Sequence, residues 1–414
     1  MADRRRWAIL AVGTLAQAAT CSFLYGIPML VPQLRSDGLS LVQASLLVSA
    51  PIVGLLLTLI VWGALADRFG ERVVIASGVG GAAVLLAAVP LTSGGRAVST
   101  VGTVGTVGTV AVLLALAGAC AASVNAASGR MVMGWFPVHE RGLAMGTRQT
   151  AQPLGVAVAA LVLPPLAHGV GATEALFFPA ALCAAAAVAV LAVVVDPPRP
   201  HRPEGAAAPG SPYRGSLVLA RVHLSSAALV VPQFAVATFT LAYLVTQRHW
   251  DSAVAGRWIF GFQAAGALGR IGSGVWSDRV RSRLVPMRQL ALASAALMLL
   301  IALGAGLGAG WVVVALALAA VVTVADNGLA YTAVAEFAGP SWAGRALGVQ
   351  NTVQNVAAVV TAPMLAAIIG DSRYAHYAAA FAVAAVFPVL AVPMTPVRAE
   401  RKPQAITVNA QVSR

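Results

Sequence analysis

The chain has 414 residues, of which 59% are hydrophobic and only 10% are charged, and its formal net charge is +13. A soluble domain carries roughly 25% charged residues, so this composition excludes a water-soluble globular protein. The mean hydropathy is +0.83, and the apolar residues form blocks of about 20, the length that spans a bilayer as a helix. We therefore predict an all-α membrane protein.

Twelve apolar blocks follow one another along the chain and predict twelve transmembrane helices. Turn signals such as "TSGGR" and "HGVGAT" separate them. The first block is longer than the core of a signal peptide, about 7–15 residues, so we interpret it as an uncleaved helix. The blocks lie at 7–33, 41–66, 72–93, 105–129, 143–166, 173–195, 221–247, 252–276, 288–308, 311–335, 346–369 and 374–395.

A segment rich in Pro, Gly and Arg, 196–220, interrupts this series and is typical of a flexible linker. It divides the blocks six and six. We predict an N-terminal six-helix bundle at 1–195, the linker at 196–220, a C-terminal six-helix bundle at 221–396 and a polar tail at 397–414.

The basic residues are concentrated in the loops on one side of the predicted helices. Arginines in short loops mark the cytoplasmic side of a plasma-membrane protein, so both termini are expected there. The positive charge thus orients the chain in the bilayer. A nucleic-acid partner would need a basic soluble domain, and we predict none.

Two internal repeats indicate that the halves arose by duplication. "GALADRFGER" at 63–72 matches "GVWSDRVRSR" at 274–283 without gaps, at an offset of 211. "VNAASGRMVMGWFPVHERGLAMGTRQTAQPLG" at 124–155 matches "DNGLAYTAVAEFAGPSWAGRALGVQNTVQNVA" at 326–357, at an offset of 202. Parallel repeats of this kind suit a transporter whose halves rock about a central site.

The first repeat resembles the signature of the major facilitator superfamily, G-x-L-x-D-R-x-G-R/K-R/K. The matching residues are Gly63, Leu65, Asp67, Arg68, Gly70 and Arg72. Glu71 stands where that signature has a base, and Arg281 stands where the second copy should have Gly. "WFPVHERGLAMG" and "LGRIGSGVWSDR" are similar to stretches in the organic-anion and the monocarboxylate and oxalate–formate branches. The resemblance implies two pseudo-symmetric bundles with spans one, four, seven and ten around a cavity.

Charges at the membrane surface in the signature loops predict a cytoplasmic gate. An acid there can pair with an arginine of a neighbouring helix and with backbone N–H groups at a helix N-terminus. The alternative is that these charges only fix topology. The predicted gate residues are Gly63, Asp67, Arg68, Gly70, Arg72, Arg130, Glu140, Arg141, Asp278, Arg279, Arg283, Glu336 and Arg345.

Polar residues inside the spans predict the substrate cavity. They are Gln17, Tyr25, Asn125, Arg148, Gln152, Gln233, Tyr243, Gln263, Arg270, Asn327, Tyr331 and Gln354. Arg130, Arg148 and Arg270 could bind a substrate anion or belong to the gate. Gln152 and Gln354 could contact substrate or simply join helices by hydrogen bonds.

Asp326 is the one carboxylate predicted to lie deep in a span. A charge there is costly, about 2.5–3.5 kcal/mol on insertion scales, which points to a function. It could carry a proton or pair with a cationic group. It could also form a static salt bridge to Arg130 or Arg270.

The sequence carries no nucleophile–base set, nucleotide-binding loop or metal-ligand spacing. We therefore predict a secondary transporter, and neither an enzyme nor an ATP-driven pump, with no cofactor. The expected partners are a small-molecule substrate, protons and the lipid bilayer, and we expect a monomer. Three deep arginines against one deep acid favour an organic anion over an amphipathic drug exported by an efflux antiporter. A sensor or assembly factor on the same scaffold is the alternative from another class.

Overall fold

The computed structural model describes residues 2–93, 104–197, 210–370 and 376–401, and within these ranges the chain is helical and has no strand. Two of the twelve long helices are broken, α5 at Thr150 and α10 at Asp326. The helices are α1 (Ala2–Leu24), α2 (Leu41–Phe69), α3 (Glu71–Ser93), α4 (Val104–Trp135), α5 (Arg141–Gln149 and Ala151–Val170), α6 (Phe177–Val193), α7 (Val218–Thr246), α8 (Ser252–Val280), α9 (Leu284–Leu307), α10 (Val312–Ala325 and Asn327–Ala338), α11 (Ala343–Ile369) and α12 (Tyr377–Met394).

Eleven stretches of the described residues are long and apolar enough to cross a membrane, against the twelve predicted from the blocks. The remaining helix, α8, has 29 residues and is long enough to span. Arg257, Gln263 and Arg270 lie within it, and these polar residues lower its mean hydropathy. The predicted number of helices is thus present, although one is unusually polar.

The helices form two bundles that correspond to the halves of the sequence. In the first half, α2 and α3 pack on α4, and α1 packs on α5 and α6. In the second half, α9 packs on α12, α7 packs on α11 and α12, and α8 packs on α10. The exact limits of the predicted domains stay a prediction, because residues 198–209 and 402–414 lie outside the described residues.

The two signature loops lie on the same side of the bundles, together with the loops that precede α5 and α11. We call this the signature side. The two halves pack most closely there, α2 on α11 and α5 on α8. The structure is therefore a form that is closed on the signature side.

One acid in each half caps the start of a helix, and the two acids occupy matching positions. Asp196, which follows α6, accepts hydrogen bonds from the backbone N–H groups of Glu71 and Arg72 at the start of α3, both at 2.8 Å. Glu400, which follows α12, accepts from the N–H groups of Arg283 at 2.7 Å and Leu284 at 3.0 Å at the start of α9. These carboxylates satisfy amide donors that a helix start leaves without partners.

Candidate functional site

The first signature loop joins the halves through Asp67, and we call its contacts the first latch. The Asp67 carboxylate accepts hydrogen bonds from the backbone N–H groups of Gly344 at 3.1 Å and Arg345 at 3.3 Å, in the first turn of α11. Arg130 of α4 donates to the same carboxylate at 3.0 Å, and Arg345 Nε lies 3.5 Å from it. An acid of one half thus caps a helix of the other half.

The second signature loop makes the equivalent contact, the second latch. Asp278 accepts hydrogen bonds from the N–H groups of Gly142 and Leu143, both at 2.9 Å, in the first turn of α5. Arg283, from the same loop as Asp278, pairs with its carboxylate at 2.5 Å. The repeat predicted from the sequence therefore places each acid on the fifth helix of the opposite half.

Glycines allow the helix backbones to meet at both latches. A Cβ at Gly63 would meet the carbonyl of Gly344, and a Cβ at Gly274 would meet the carbonyl of Gly142. These pairs occupy equivalent positions in the two repeats. Small residues permit such close helix contacts in membrane proteins. At both latches the two halves thus meet by close backbone packing as well as by charge.

Other predicted gate residues lie near the latches with different partners. Arg141 Nη1 and Arg283 Nη2 lie 3.7 Å and 3.5 Å from a carboxylate oxygen of Glu336, so this acid links both halves. Glu140 instead pairs with Arg6 of its own half at 2.9 Å. Glu140 thus joins α1 to the loop before α5, and its described ion pairs do not cross between the halves.

The remaining residues of the signature loops serve local structure. Gly70 ends α2 with φ +96°, a backbone conformation that favours glycine. Arg72 donates to the carbonyl of Leu191 on α6. The Arg68 guanidinium lies over the Phe69 ring, 5.1 Å from its centroid. Arg279 is exposed at the end of α8.

A polar cavity lies between the halves and encloses about 570 Å³ of empty space, including its opening. Its lining comes from α1, α4, α5, α7, α8, α10 and α11, which include the four helices predicted from the resemblance. Among the described lining residues, Arg270 alone carries a charge, and the rest are mainly amides. The lining residues predicted from the sequence are Gln17, Tyr25, Asn125, Gln152, Gln233, Arg270, Asn327, Tyr331 and Gln354.

Two amide pairs build equivalent walls of this cavity. Gln17 of α1 donates to Asn125 of α4 at 3.1 Å. In the second half, Asn327 of α10 donates to Gln233 of α7 at 3.0 Å, and Gln354 of α11 donates to Asn327 at 3.1 Å. The repeat places Asn125 and Asn327 at matching positions, so duplication extends to the cavity. These bonds agree with one of the two alternatives for Gln354, in which it joins helices by hydrogen bonds.

A proline explains how Arg270 is held. Pro153 has no backbone N–H, so the Gln149 carbonyl four residues earlier has no helical donor. The helix α5 breaks between them, and Arg270 Nη1 donates to that carbonyl at 2.6 Å. The Nε atom of Arg270 is buried and has no hydrogen-bond partner among the described residues.

Arg148 lies behind the cavity wall and does not line it. Its side chain is 1% exposed, and it donates to Ser128 Oγ at 2.7 Å and to the Asn125 carbonyl at 2.9 Å. Its guanidinium lies 5.4 Å from the centroid of the Tyr331 ring. Arg148 therefore supports two lining residues. The structure places it neither in the cavity surface nor in a latch.

Asp326 lies at the break in α10, one residue before the cavity residue Asn327. It is 2% exposed, and its Oδ2 atom has no hydrogen-bond partner among the described residues. Arg130 is occupied by Asp67 and Glu71, so the static pair of Asp326 with Arg130 is absent. Arg270 lies within electrostatic range of Asp326, but the two form no direct ion pair in the described part of the chain.

Two predicted cavity residues lie elsewhere or outside the described side chains. Tyr243 packs against Tyr377 and Phe381 of α12, with ring centroids 5.5 Å and 6.1 Å apart, away from the cavity lining. The side chain of Gln263 lies outside the described part of the structure.

The cavity also contains residues that the sequence did not mark as site residues. Their signals were weak because some are apolar and others were grouped only as polar residues of a span. They are Cys21, Gln149, Val230, Phe234, Asn351, Asn355 and Ala358. The helix break at Pro153 could have indicated Gln149, since a proline always frees the carbonyl four residues before it.

The sequence matches a known family and curated relatives over most of its length. A family model described as Major Facilitator Superfamily matches residues 10–362. The uncharacterized MFS-type transporter Rv2994 of Mycobacterium tuberculosis is 43% identical over 395 residues, which cover 95% of this chain and 85% of that protein.

Solved structures share the fold at low sequence identity. The proton:xylose symporter XylE superposes with a TM-score of 0.69 at 14% identity, over 95% of both chains. The human organic anion transporter MFSD10 gives a TM-score of 0.68 at 18% identity, over 94% of this chain and 99% of its own. Because the family model spans most of the sequence, the chain belongs to the Major Facilitator Superfamily, and it is a membrane transporter rather than an enzyme.

Proposed function

We propose that this transporter moves a small organic anion, most simply a carboxylate, by alternating access across the plasma membrane. The observation that carries the proposal is Arg270, a buried cation that faces a polar cavity with no described carboxylate in its lining. Its Nε has no described hydrogen-bond partner, so an anion can supply one. An amphipathic cation would be repelled by Arg270 and would find few apolar contacts.

The latches serve in this proposal as the gate. With the predicted topology, the signature side is cytoplasmic, so the described form is closed to the cytoplasm. Opening that side requires Asp67 and Asp278 to leave the first turns of α11 and α5. The halves can then rock about the cavity, as parallel repeats suggest.

Asp326 supplies the proposed coupling to protons. While it is ionised, its charge is balanced by Arg270 nearby. Protonation removes that charge and leaves Arg270 free for the carboxylate of a substrate. The proton and the anion would then occupy the transporter at the same time, as symport requires. XylE is described as a proton symporter and MFSD10 as an organic anion transporter, which is compatible with this assignment.

Binding to the purified protein tests the substrate class. Thermal shifts should increase with small carboxylates and stay unchanged with amphipathic cations. Arg270→Gln should abolish the carboxylate shift, whereas Arg257→Gln, an exposed arginine of the same helix, should keep it. A shift that appears with cations and survives Arg270→Gln would contradict an anion site.

Transport by proteoliposomes tests the coupling. Asp326→Asn should abolish accumulation of a carboxylate driven by an imposed pH gradient, while exchange between equilibrated compartments should persist in part. A static structural role predicts instead that the variant folds poorly and that Arg270→Gln rescues it. Accumulation by Asp326→Asn would show that the coupling group lies elsewhere.

A further inference from the structure

Glu71 is a fully buried acid at the position where the family signature has a base. Its side chain is 0% exposed, and its Oε1 lies 2.8 Å from Nε of Arg130. Neither carboxylate oxygen forms an aligned hydrogen bond within the described residues, so this contact is an ion pair alone. A buried carboxylate with so few donors depends heavily on its one cation.

That cation is shared with the gate. Nη1 of Arg130 donates to Asp67 at 3.0 Å, so one arginine serves two buried acids. The arrangement is tolerable in the closed form because Asp67 also receives the two amide donors and the guanidinium that α11 provides. All three of these partners belong to the other half and leave with it when the gate opens.

Among the described residues, no other cation pairs with Glu71. The charged groups that face it are Arg130 from α4, Asp67 from α2 and Asp196 from the end of α6, whose carboxylate binds the Glu71 N–H. Arg72 is exposed and donates to Leu191. After opening, Asp67 draws Arg130 more strongly, and Glu71 is left buried beside two further acids.

We propose that Glu71 is a proton-binding site of the gate, loaded from water on the signature side as the halves separate and emptied as they close. The proton adds to a carboxylate oxygen of Glu71, which becomes a neutral carboxylic acid while Arg130 pairs with Asp67. Burial favours the neutral form of a carboxyl whose counter-charge is withdrawn. This site is separate from Asp326, and it rests on the proposed gate but not on the proposed substrate.

The second latch has no acid at the position equivalent to Glu71. At the repeat offset of 211, the position of Glu71 corresponds to Ser282, which donates to Glu400. At the offset of 202, the position of Arg130 corresponds to Thr332, which donates to the Gly328 carbonyl at 2.8 Å. The pair of Glu71 and Arg130 therefore has no equivalent in the second latch, where Glu336 lies near two cations, Arg141 and Arg283.

Double electron–electron resonance across the gate tests the proposal. Spin labels are placed at the exposed residues Phe69 and Val280, at the ends of α2 and α8, through a ketone-bearing unnatural amino acid that leaves the native cysteines in place. In wild type, the open-to-closed ratio should rise as the pH falls, by up to tenfold per pH unit, the limit for one bound proton. Glu71→Gln should be more open at neutral pH and should lose this dependence.

The matched control is Glu174→Gln, an acid that accepts a hydrogen bond from Thr173 on the opposite side and should keep the wild-type profile. A Glu71→Gln profile that follows wild type, or a wild-type ratio that does not change with pH, would overturn the proposal. If Asp67→Asn also leaves the distances unchanged, the gate itself is refuted.

A second measurement uses the wild-type protein alone, so it does not require any variant to fold. Infrared difference spectra of wild type between high and low pH should show the C=O stretch of a buried protonated carboxylic acid that grows with the open fraction. Absence of that band while the gate opens would overturn the proposal.

Discussion

The two latches share one geometry but differ in the arginines that support them. Each acid caps the first turn of the fifth helix of the opposite half, Asp67 on α11 and Asp278 on α5. Asp278 is neutralised by Arg283 from its own loop. Asp67 is neutralised by Arg130 from inside the bundle and by Arg345 from the opposite half.

This difference shows which contact of the duplicated loop both copies keep and which one they do not. The capping contact survives in both copies because the helix start offers amide donors in either half, whatever the neighbouring side chains. The arginine support can differ, because any guanidinium within reach balances the acid. In the first latch Arg130 also pairs with a second buried acid, Glu71, whereas Arg283 of the second latch also lies near Glu336, which has Arg141 as a further cation.

The largest expected effect comes from removing the shared arginine. Arg130→Leu removes the only described cation of buried Glu71 and one of the two cations of Asp67, and it should lower the free energy of unfolding by about 3–5 kcal/mol. Combining it with Glu71→Leu should recover part of this loss. Thermal unfolding in detergent measures both, with Arg257→Leu as an exposed control. If Arg130→Leu is no less stable than the control, Arg130 is not what balances the first latch.

A smaller effect is expected when the close backbone contact of the second latch is disturbed and its charges are left unchanged. Gly274→Ala places a Cβ against the Gly142 carbonyl and should shift the halves towards the open form without changing any charge. Gly272→Ala, two residues earlier on the same helix, meets no atom within 4 Å and should be neutral. Single-molecule Förster resonance energy transfer between labels on the two halves measures the open fraction of each variant. Equal behaviour of the two variants would show that close backbone contact is dispensable.

The smallest effects belong to the caps within each half. Asp196→Asn and Glu400→Gln each weaken a carboxylate contact to the start of α3 or α9, and each should cost about 1 kcal/mol of stability. Glu400→Gln should not change the open fraction, because its contacts stay within one half; Asp196 also faces Glu71, so the open fraction is compared for Glu400→Gln alone. Thermal unfolding together with distance measurements checks this. A change in the open fraction would extend the gate to the caps.

Hydropathy was enough to predict the helices, because a span must be long and apolar. Hydropathy did not indicate the breaks in α5 and α10. The break at Thr150 lies three residues before Pro153, which removes a helical donor, and hydropathy does not contain this signal. At the equivalent position α11 has Asn355 and is continuous, although it contains Pro363 further along. The break at Asp326 has no such sequence marker.

The site was less predictable than the fold because its chemistry depends on distances between helices. The sequence identified Glu71 as a departure from the signature, but its burial follows from the packing of α3 against α4 and α6. In the same way, Arg148 and Tyr243 are polar residues of a span, but Arg148 lies behind the cavity wall and Tyr243 packs on α12. Residue type alone cannot tell a lining residue from one that supports the lining.

We propose above all that Asp67 and Asp278 together hold the signature side closed. Double electron–electron resonance between labels at Phe69 and Val280 tests it in wild type, Asp67→Asn, Asp278→Asn and the double variant. A charged hydrogen bond to a helix start contributes about 1–2 kcal/mol, so each single change should raise the open-to-closed ratio by roughly tenfold. The double variant should be mostly open. A double variant with the wild-type distance distribution would contradict the claim.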